Sequence, residues 1–115
     1  MDLIDINVLK QIGNDVGLDV FDSLIEIFIS DSEERLESLK NQYADRDLAN
    51  LKITAHTFKS VCAQYGAMSC SAIAKELEKL CADPSSDINV IGEKVEALTS
   101  ELGQALKEIK TISIA

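Results

Sequence analysis

The 115-residue chain has no tryptophan, one proline and one histidine, and three phenylalanines and two tyrosines are its only aromatics. A core must therefore be built mainly from aliphatic side chains, which the 46% hydrophobic content supplies; the same content excludes the disordered and low-complexity classes. Basic residues are also scarce, eleven against twenty acidic ones, for a net charge of -9. Binding a phosphate backbone needs clustered Lys and Arg, so no nucleic-acid partner is expected, and an anionic membrane surface is disfavoured for the same reason. No run of eighteen apolar residues occurs, and Met1 to Asp5 lacks the basic region and apolar block of a leader, so a cytoplasmic location is expected.

Glycines are few and dispersed. Gly13, Gly17, Gly66, Gly92 and Gly103 are too far apart to cradle a nucleotide, so self-phosphorylation from ATP is not expected; nor is an acidic pocket on strand ends foreseen that would bind magnesium and accept phosphate on an aspartate. Cys62, Cys70 and Cys81 are odd in number and match neither a zinc ribbon nor a CxxC motif. They read as reduced thiols used for packing, with no metal site and no cofactor.

Hydrophobic residues recur at helical spacing from end to end. Asp5 is a plausible N-cap for a short helix carrying Ile6, Leu9 and Ile12, with Gly13-Asn14 as its stop. Asp19 is expected to start a long helix whose seam runs through Phe21, Leu24, Phe28, Leu36, Leu39 and Tyr43, with Val20, Ile25, Ile27 and Ile29 widening it. A third helix is predicted from about Asp47 to Tyr65, ending at Gly66, and a fourth from Ser69 or Ser71 to the Asp83-Pro84-Ser85-Ser86 turn. Asp87 caps the last, in which Ile88, Ile91, Val95, Leu98, Leu102, Leu106 and Ile109 form a heptad-like seam. The tail Thr111 to Ala115 alternates but is too short to be read as a strand. Four long amphipathic helices on short turns predict an all-α fold: an antiparallel up-down-up-down four-helix bundle capped by the short N-terminal helix, one domain over 1–115. With its stripes consumed internally, such a domain is expected to be a monomer.

The third helix carries the chemistry. Leu48, Leu51, Ala55, Phe58, Cys62 and Tyr65 share one seam, whereas Lys52, His56, Lys59, Ser60 and Ala63 fall on another face. His56 is thus predicted to point outward, beside a cation and among small side chains. An exposed imidazole, ordinarily titrating near 6.5, is a nucleophile that another protein can reach. Lys59, one turn on, is expected to favour the neutral ring by repulsion and then to attract phosphoryl oxygens. Lys52 is a further candidate for electrostatic support.

The stretch His56-Thr57-Phe58-Lys59-Ser60-Val61-Cys62-Ala63-Gln64-Tyr65-Gly66-Ala67, followed by Leu77-Glu78 in the next helix, resembles the histidine-containing phosphotransfer (HPt) domains of phosphorelays. The resemblance covers essentially the whole chain. It implies that His56 is phosphorylated on its outer ring nitrogen and that Lys59 supports the phosphoryl group. Donor and acceptor would be receiver-domain aspartates of hybrid kinases or response regulators, with Mg2+ held only by those partners and no kinase activity in this chain. Ser60 stands where glycine is commonest in the family; its hydroxyl is short enough to leave the ring accessible. Gln64 matches a position that is often polar, and Gly66-Ala67 matches the terminal Gly-Ala pair. The docking surface is expected to surround His56 and to include Val20 and Ile27 on the preceding helix. The main alternative is a helical adaptor bundle with an inert His56. An enzyme using His56 as general base ranks last, since no oxyanion-forming constellation accompanies the motif.

Overall fold

The computed structural model describes residues 3–112, which fold into five helices: α1 (Ile6–Val16), α2 (Leu18–Ala44), α3 (Leu48–Gln64), α4 (Met68–Ala82) and α5 (Ile88–Ile109). There is no strand among the described residues, and Ser113 to Ala115 of the alternating tail lie outside them. Three helices start on aspartates. Asp5, Asp47 and Asp87 accept from the backbone N–H groups of Asn7, Asn50 and Asn89 at 3.0, 3.2 and 2.8 Å, satisfying donors that a helix start leaves unpaired.

Two boundaries differ from the sequence expectation. Gly13 does not stop α1; it is buried inside the helix, which runs on to Gly17, whose φ of 86° makes the turn and whose carbonyl accepts from Phe21 N–H as α2 begins. Helix α4 starts at Met68, ahead of both serines, and its N-cap residue Ala67 contributes no side-chain bond. The corner is fixed by the main chain instead: Gly66 turns with φ 82° and Ala67 N–H donates to the Cys62 carbonyl at 2.8 Å.

Helix α2 packs against α1, α3 and α5, and α4 packs against α3 and α5. The shared interior takes Phe21, Phe28, Leu36 and Leu39 from α2, Leu51, Ala55, Phe58 and Cys62 from α3, and Cys70, Ala74 and Leu77 from α4. Helix α5 adds Ile91, Val95, Leu98, Leu102, Leu106 and Ile109, the seam expected from its spacing. Cross-helix contacts fix the alignments. Phe28 stacks on Tyr65 with centroids 4.5 Å apart, and Thr54 Oγ1 donates to Gln42 Oε1 at 2.8 Å. Tyr43 donates to the Ile88 carbonyl at 3.2 Å, and Lys110 approaches Glu33 at 3.4 Å. The N-terminal segment is held by Glu108, whose two carboxylate oxygens accept from Leu3 and Ile4 N–H at 3.2 and 2.7 Å.

Cys62 and Cys70 are buried and Cys81 is half-buried, and all three are free thiols. A hydrogen bond with Cys70, followed by burial, pushes the Cys62 thiol far up, away from thiolate chemistry. No helix among the described residues is long and apolar enough to cross a membrane.

Candidate functional site

The seam of α3 faces inward as its spacing predicts, with Phe58 fully buried, and this sets the opposite face outward. His56 lies on that face with 59% of its side chain exposed. Its ring is not surrounded only by small groups and a cation. Glu78, on α4, reaches across the α3–α4 interface and places Oε2 2.6 Å from His56 Nδ1. The other oxygen of the same carboxylate, Oε1, accepts from Lys59 Nζ at 2.7 Å.

Glu78 is the site residue that sequence reasoning missed. The Leu77-Glu78 pair was visible, but a contact spanning 22 positions depends on how α4 lies on α3, and helical spacing within one segment carries no such information. The half-buried carboxylate, 20% exposed, is held below the usual carboxylate range by the Lys59 hydrogen bond, against an upward pull from burial; the His56 hydrogen bond lowers it further. The expectation that Lys59 acts on the ring by simple repulsion is corrected accordingly: its ammonium is neutralised by Glu78, and the charge in contact with the ring is negative.

This contact decides which ring nitrogen carries the lone pair of a neutral ring. An ionised carboxylate can only accept, so the short approach of Oε2 places the ring proton on Nδ1 and leaves the lone pair of a neutral ring on Nε2. Nε2 has no hydrogen-bond partner among the described residues. On an exposed ring whose Nδ1 is held by a carboxylate, a nitrogen with a free lone pair and an ammonium one turn off is suited to attack on an electrophile brought by another molecule. The site holds no carboxylate cluster for a metal: no group of three His, Cys, Asp or Glu among the described residues is placed to hold one.

The remaining candidates fall at graded distances from the ring. Ser60 is exposed one turn beyond His56 and Lys52 is exposed one turn before it; Lys52 lies close enough to Cys81 to oppose, by its charge, the upward shift that burial imposes on that thiol. Ala63 is half-buried and Gln64 exposed, and no hydrogen bond joins Gln64 to the ring among the described residues. Gly66 does not belong with them. It is buried at the end of α3, roughly 15 Å along the helix axis from His56 at 1.5 Å per residue. There its carbonyl accepts from Asp5 N–H at 2.9 Å, so its role is to close the α3–α4 corner against the N-terminal segment. Ile53, 63% exposed and one turn before His56, is the most prominent apolar side chain on this stretch and was not singled out by its spacing.

Residues 23–110 match the family model described as Hpt domain, which covers well over half of the chain. The chain belongs to the Hpt domain family. Members of this family are phosphocarrier modules of phosphorelays, transferring phosphoryl groups through histidine and interacting with the receiver domains of response regulators or hybrid kinases. Comparison with curated proteins and with solved structures gave no match for either.

Proposed function

We propose that this protein is a phosphorelay intermediate in which His56 Nε2 takes a phosphoryl group from an aspartyl phosphate on one receiver domain and hands it to the aspartate of another. One observation carries the proposal: the only imidazole in the chain is exposed, with Nδ1 held by Glu78 and no hydrogen bond to Nε2 among the described residues. In the accepting step the Nε2 lone pair attacks phosphorus and the bond from phosphorus to the aspartyl oxygen breaks. Magnesium and the rest of the phosphoryl-transfer apparatus belong to the receiver, and this chain supplies the nucleophile and its mount.

Lys59 supports the phosphoryl group. Its ammonium, now on Glu78, is one turn from the ring, and a dianion arriving at Nε2 competes for it. Lys52 and Ser60 line the approach, Lys52 as added positive charge and Ser60 as a side chain too short to obstruct. Ala63 and Gln64 extend this face, which a receiver would cover in a small, transient interface.

The pairs Phe28 with Tyr65 and Gln42 with Thr54 support an antiparallel course of α2 and α3, because positions rising along one helix meet positions falling along the other. Tyr43 with Ile88 and Glu33 with Lys110 support the same for α2 and α5. The reading is therefore an up-down-up-down bundle of α2 to α5 capped by α1, a single domain over 1–115, working as a monomer in the cytoplasm. On that alignment His56 sits beside the second half of α2, so Val20 and Ile27 in its first half are peripheral to docking, and Ile53 takes their place.

Incubating the protein with a phosphorylated receiver domain and following the label tests the proposal. Acid-labile, base-stable phosphate on the wild type and none on His56→Gln is the expected result. Failure of every receiver of the source cell to exchange phosphate would favour the adaptor alternative.

A further inference from the structure

Away from His56, helices α1 and α2 and the end of α5 leave a cleft of about 330 Å3 that opens to solvent. Its walls are apolar: Leu9 from α1, Phe21, Ile25 and Ile29 from α2, and Ile109 and Ile112 at the end of α5. Leu9, Phe21 and Ile109 are buried, whereas Ile25, Ile29 and Ile112 are only half-buried and keep part of their surface in water. Asp22, Glu26 and Lys110 complete the lining.

The charge of the lining is unbalanced. Lys110 is drawn to Glu33 at 3.4 Å, while Asp22 and Glu26 are exposed and in no ion pair among the described residues. From Gln11 to Glu34 the chain has seven acidic residues and no Lys or Arg, so the neighbouring stretch of α1 and α2 offers nothing to offset the two carboxylates. Lys10 and Lys107, the other bases on α1 and on the second half of α5, do not line the cleft. The pattern along α2 is also regular. Asp22 and Glu26 are four residues apart, as are Ile25 and Ile29, so an acidic ridge runs beside an apolar one.

We propose that this cleft docks an amphipathic helix of a partner protein, which seats an apolar side chain over Ile25, Ile29 and Ile112 and sets Lys or Arg residues four apart against Asp22 and Glu26. A helix lying along α2 meets both ridges with a single period, apolar over the isoleucines and basic over the carboxylates. The volume is at the lower end of the roughly 300 to 1,000 Å3 usual for enclosed ligand sites, which suits a side chain offered by a surface better than a whole small molecule. Binding through an exposed acidic rim should weaken with salt.

The cleft is separate from the His56 face. Helix α2 packs on α1, α3 and α5, whereas His56 turns toward Glu78 of α4. Phe28, within the stretch of α2 that lines the cleft, stacks on Tyr65, which lies about 14 Å along α3 from His56 at 1.5 Å per residue. A helix held there leaves the imidazole uncovered. A relay partner tethered by a segment outside its receiver domain would thus present that domain to His56 at raised effective concentration. Tethering in this sense rests on the phosphorelay reading, whereas docking at the cleft depends on no phosphoryl chemistry.

The test uses the whole protein carrying 13C in its isoleucine δ1 methyls, which places reporters at Ile25, Ile29, Ile109 and Ile112 in the cleft and at Ile53 near His56. The probe is a synthetic amphipathic peptide of leucine and lysine, about 18 residues long so that it can hold a helix, with a matched peptide of leucine and glutamate. The lysine peptide should shift the four cleft methyls and leave Ile53 in place, and the glutamate peptide should shift none. Asp22→Lys combined with Glu26→Lys should weaken binding at least about tenfold. Glu93→Lys combined with Glu96→Lys, the same change of net charge at exposed positions in the first half of α5, should weaken it less than about threefold. Absence of binding, shifts centred on Ile53, equal weakening by the two charge reversals, or equal binding of the glutamate peptide would overturn the inference. So would occupation of the cleft by the chain itself: magnetisation transfer from the Ile114 methyl to the cleft methyls would assign it to the chain's own end, and movement of those methyls on concentrating the protein alone would assign it to a second copy. These shifts report docking alone, so failure of phosphoryl transfer at His56 would leave their outcome untouched.

Discussion

Ser71 Oγ lies 2.7 Å from the main-chain oxygen of Lys59, so a hydroxyl on α4 donates to a carbonyl inside α3. The bond sits two turns from Glu78 on α4, and together the two contacts pin α4 at the height where a single carboxylate meets both His56 and Lys59. Removing the hydroxyl by Ser71→Ala should cost about 1 kcal/mol of stability, the usual net value of one hydrogen bond. It should also slow phosphoryl acceptance severalfold by letting Glu78 wander. Urea melts combined with transfer kinetics check this, and an unchanged rate would show that Glu78 needs no such anchor.

Phe58 and His56 are two residues apart on α3 and face opposite ways, the first fully buried and the second mostly exposed. Their substitutions should therefore separate stability from function. Phe58→Ala should destabilise by about 3 to 5 kcal/mol, the range for emptying a packed aromatic site. His56→Gln should leave the urea midpoint nearly unchanged while abolishing phosphoryl acceptance. A large stability loss in His56→Gln would mean that the Glu78 contact supports the fold.

Lys59→Ala removes the ammonium that Glu78 holds and that a phosphoryl group would attract. Transfer should slow by at least about tenfold, and the phosphorylated state should become shorter-lived, since one charge-assisted hydrogen bond to a dianion is lost. The helix content should be preserved, because the lysine is partly exposed and lies off the seam. Single-turnover transfer and the decay of isolated phosphoprotein are the two readouts.

Helical spacing reveals which side of each segment is buried: on α3 and α5 most of the expected seam lies in the core, although Leu48 and Ile88 are only half-buried and the small Ala105, which the seam left out, is fully buried. What it does not carry is anything set by the fit of one helix on another. Gly13 and Gly17 look alike in sequence, yet one is buried within α1 and the other turns the chain at φ 86°. Ser69 and Ser71 are good capping residues by type, but the corner at Gly66 and Ala67 starts α4 ahead of them, and Ser71 spends its hydroxyl on Lys59. His56 and Lys59 were legible because both lie on one face of one helix. Glu78 was not, because its role exists only across an interface.

Gly66 separates a motif position from a site position. Its φ of 82° is strained for any side chain, and a Cβ there would come within 2.8 Å of the Asp5 carbonyl oxygen, which is backbone and cannot swing away. Gly66→Ala should thus lose roughly 1 to 2 kcal/mol from the left-handed conformation alone, and more from the overlap. The residual folded protein should still accept phosphate at the wild-type rate. A variant as stable as wild type would mean that the corner is softer than its contacts imply, and one folded but inactive would return Gly66 to the site.

The depressed carboxyl of Glu78 also makes a prediction about acid. Its ordinary value of 4.5 is lowered in the folded protein, first by the Lys59 hydrogen bond and then by His56, so between the folded and unfolded values the unfolded chain binds more protons. The resulting stability is fully present above that ordinary value and is lost as pH falls through the lower, folded value. Glu76, paired with Lys94, and Asp83, bonded to Ser85, are shifted the same way, but both are exposed and contribute little, the more so in salt. Urea midpoints taken from about pH 7 to about pH 3 should therefore decline on the acid side in wild type, and the decline should be shallower in Glu78→Gln, which has no proton to take up there. Parallel acid limbs in the two proteins would show that the Lys59–Glu78–His56 contact is no stronger in the folded chain than in water, and the fixed tautomer proposed for His56 would lose its support.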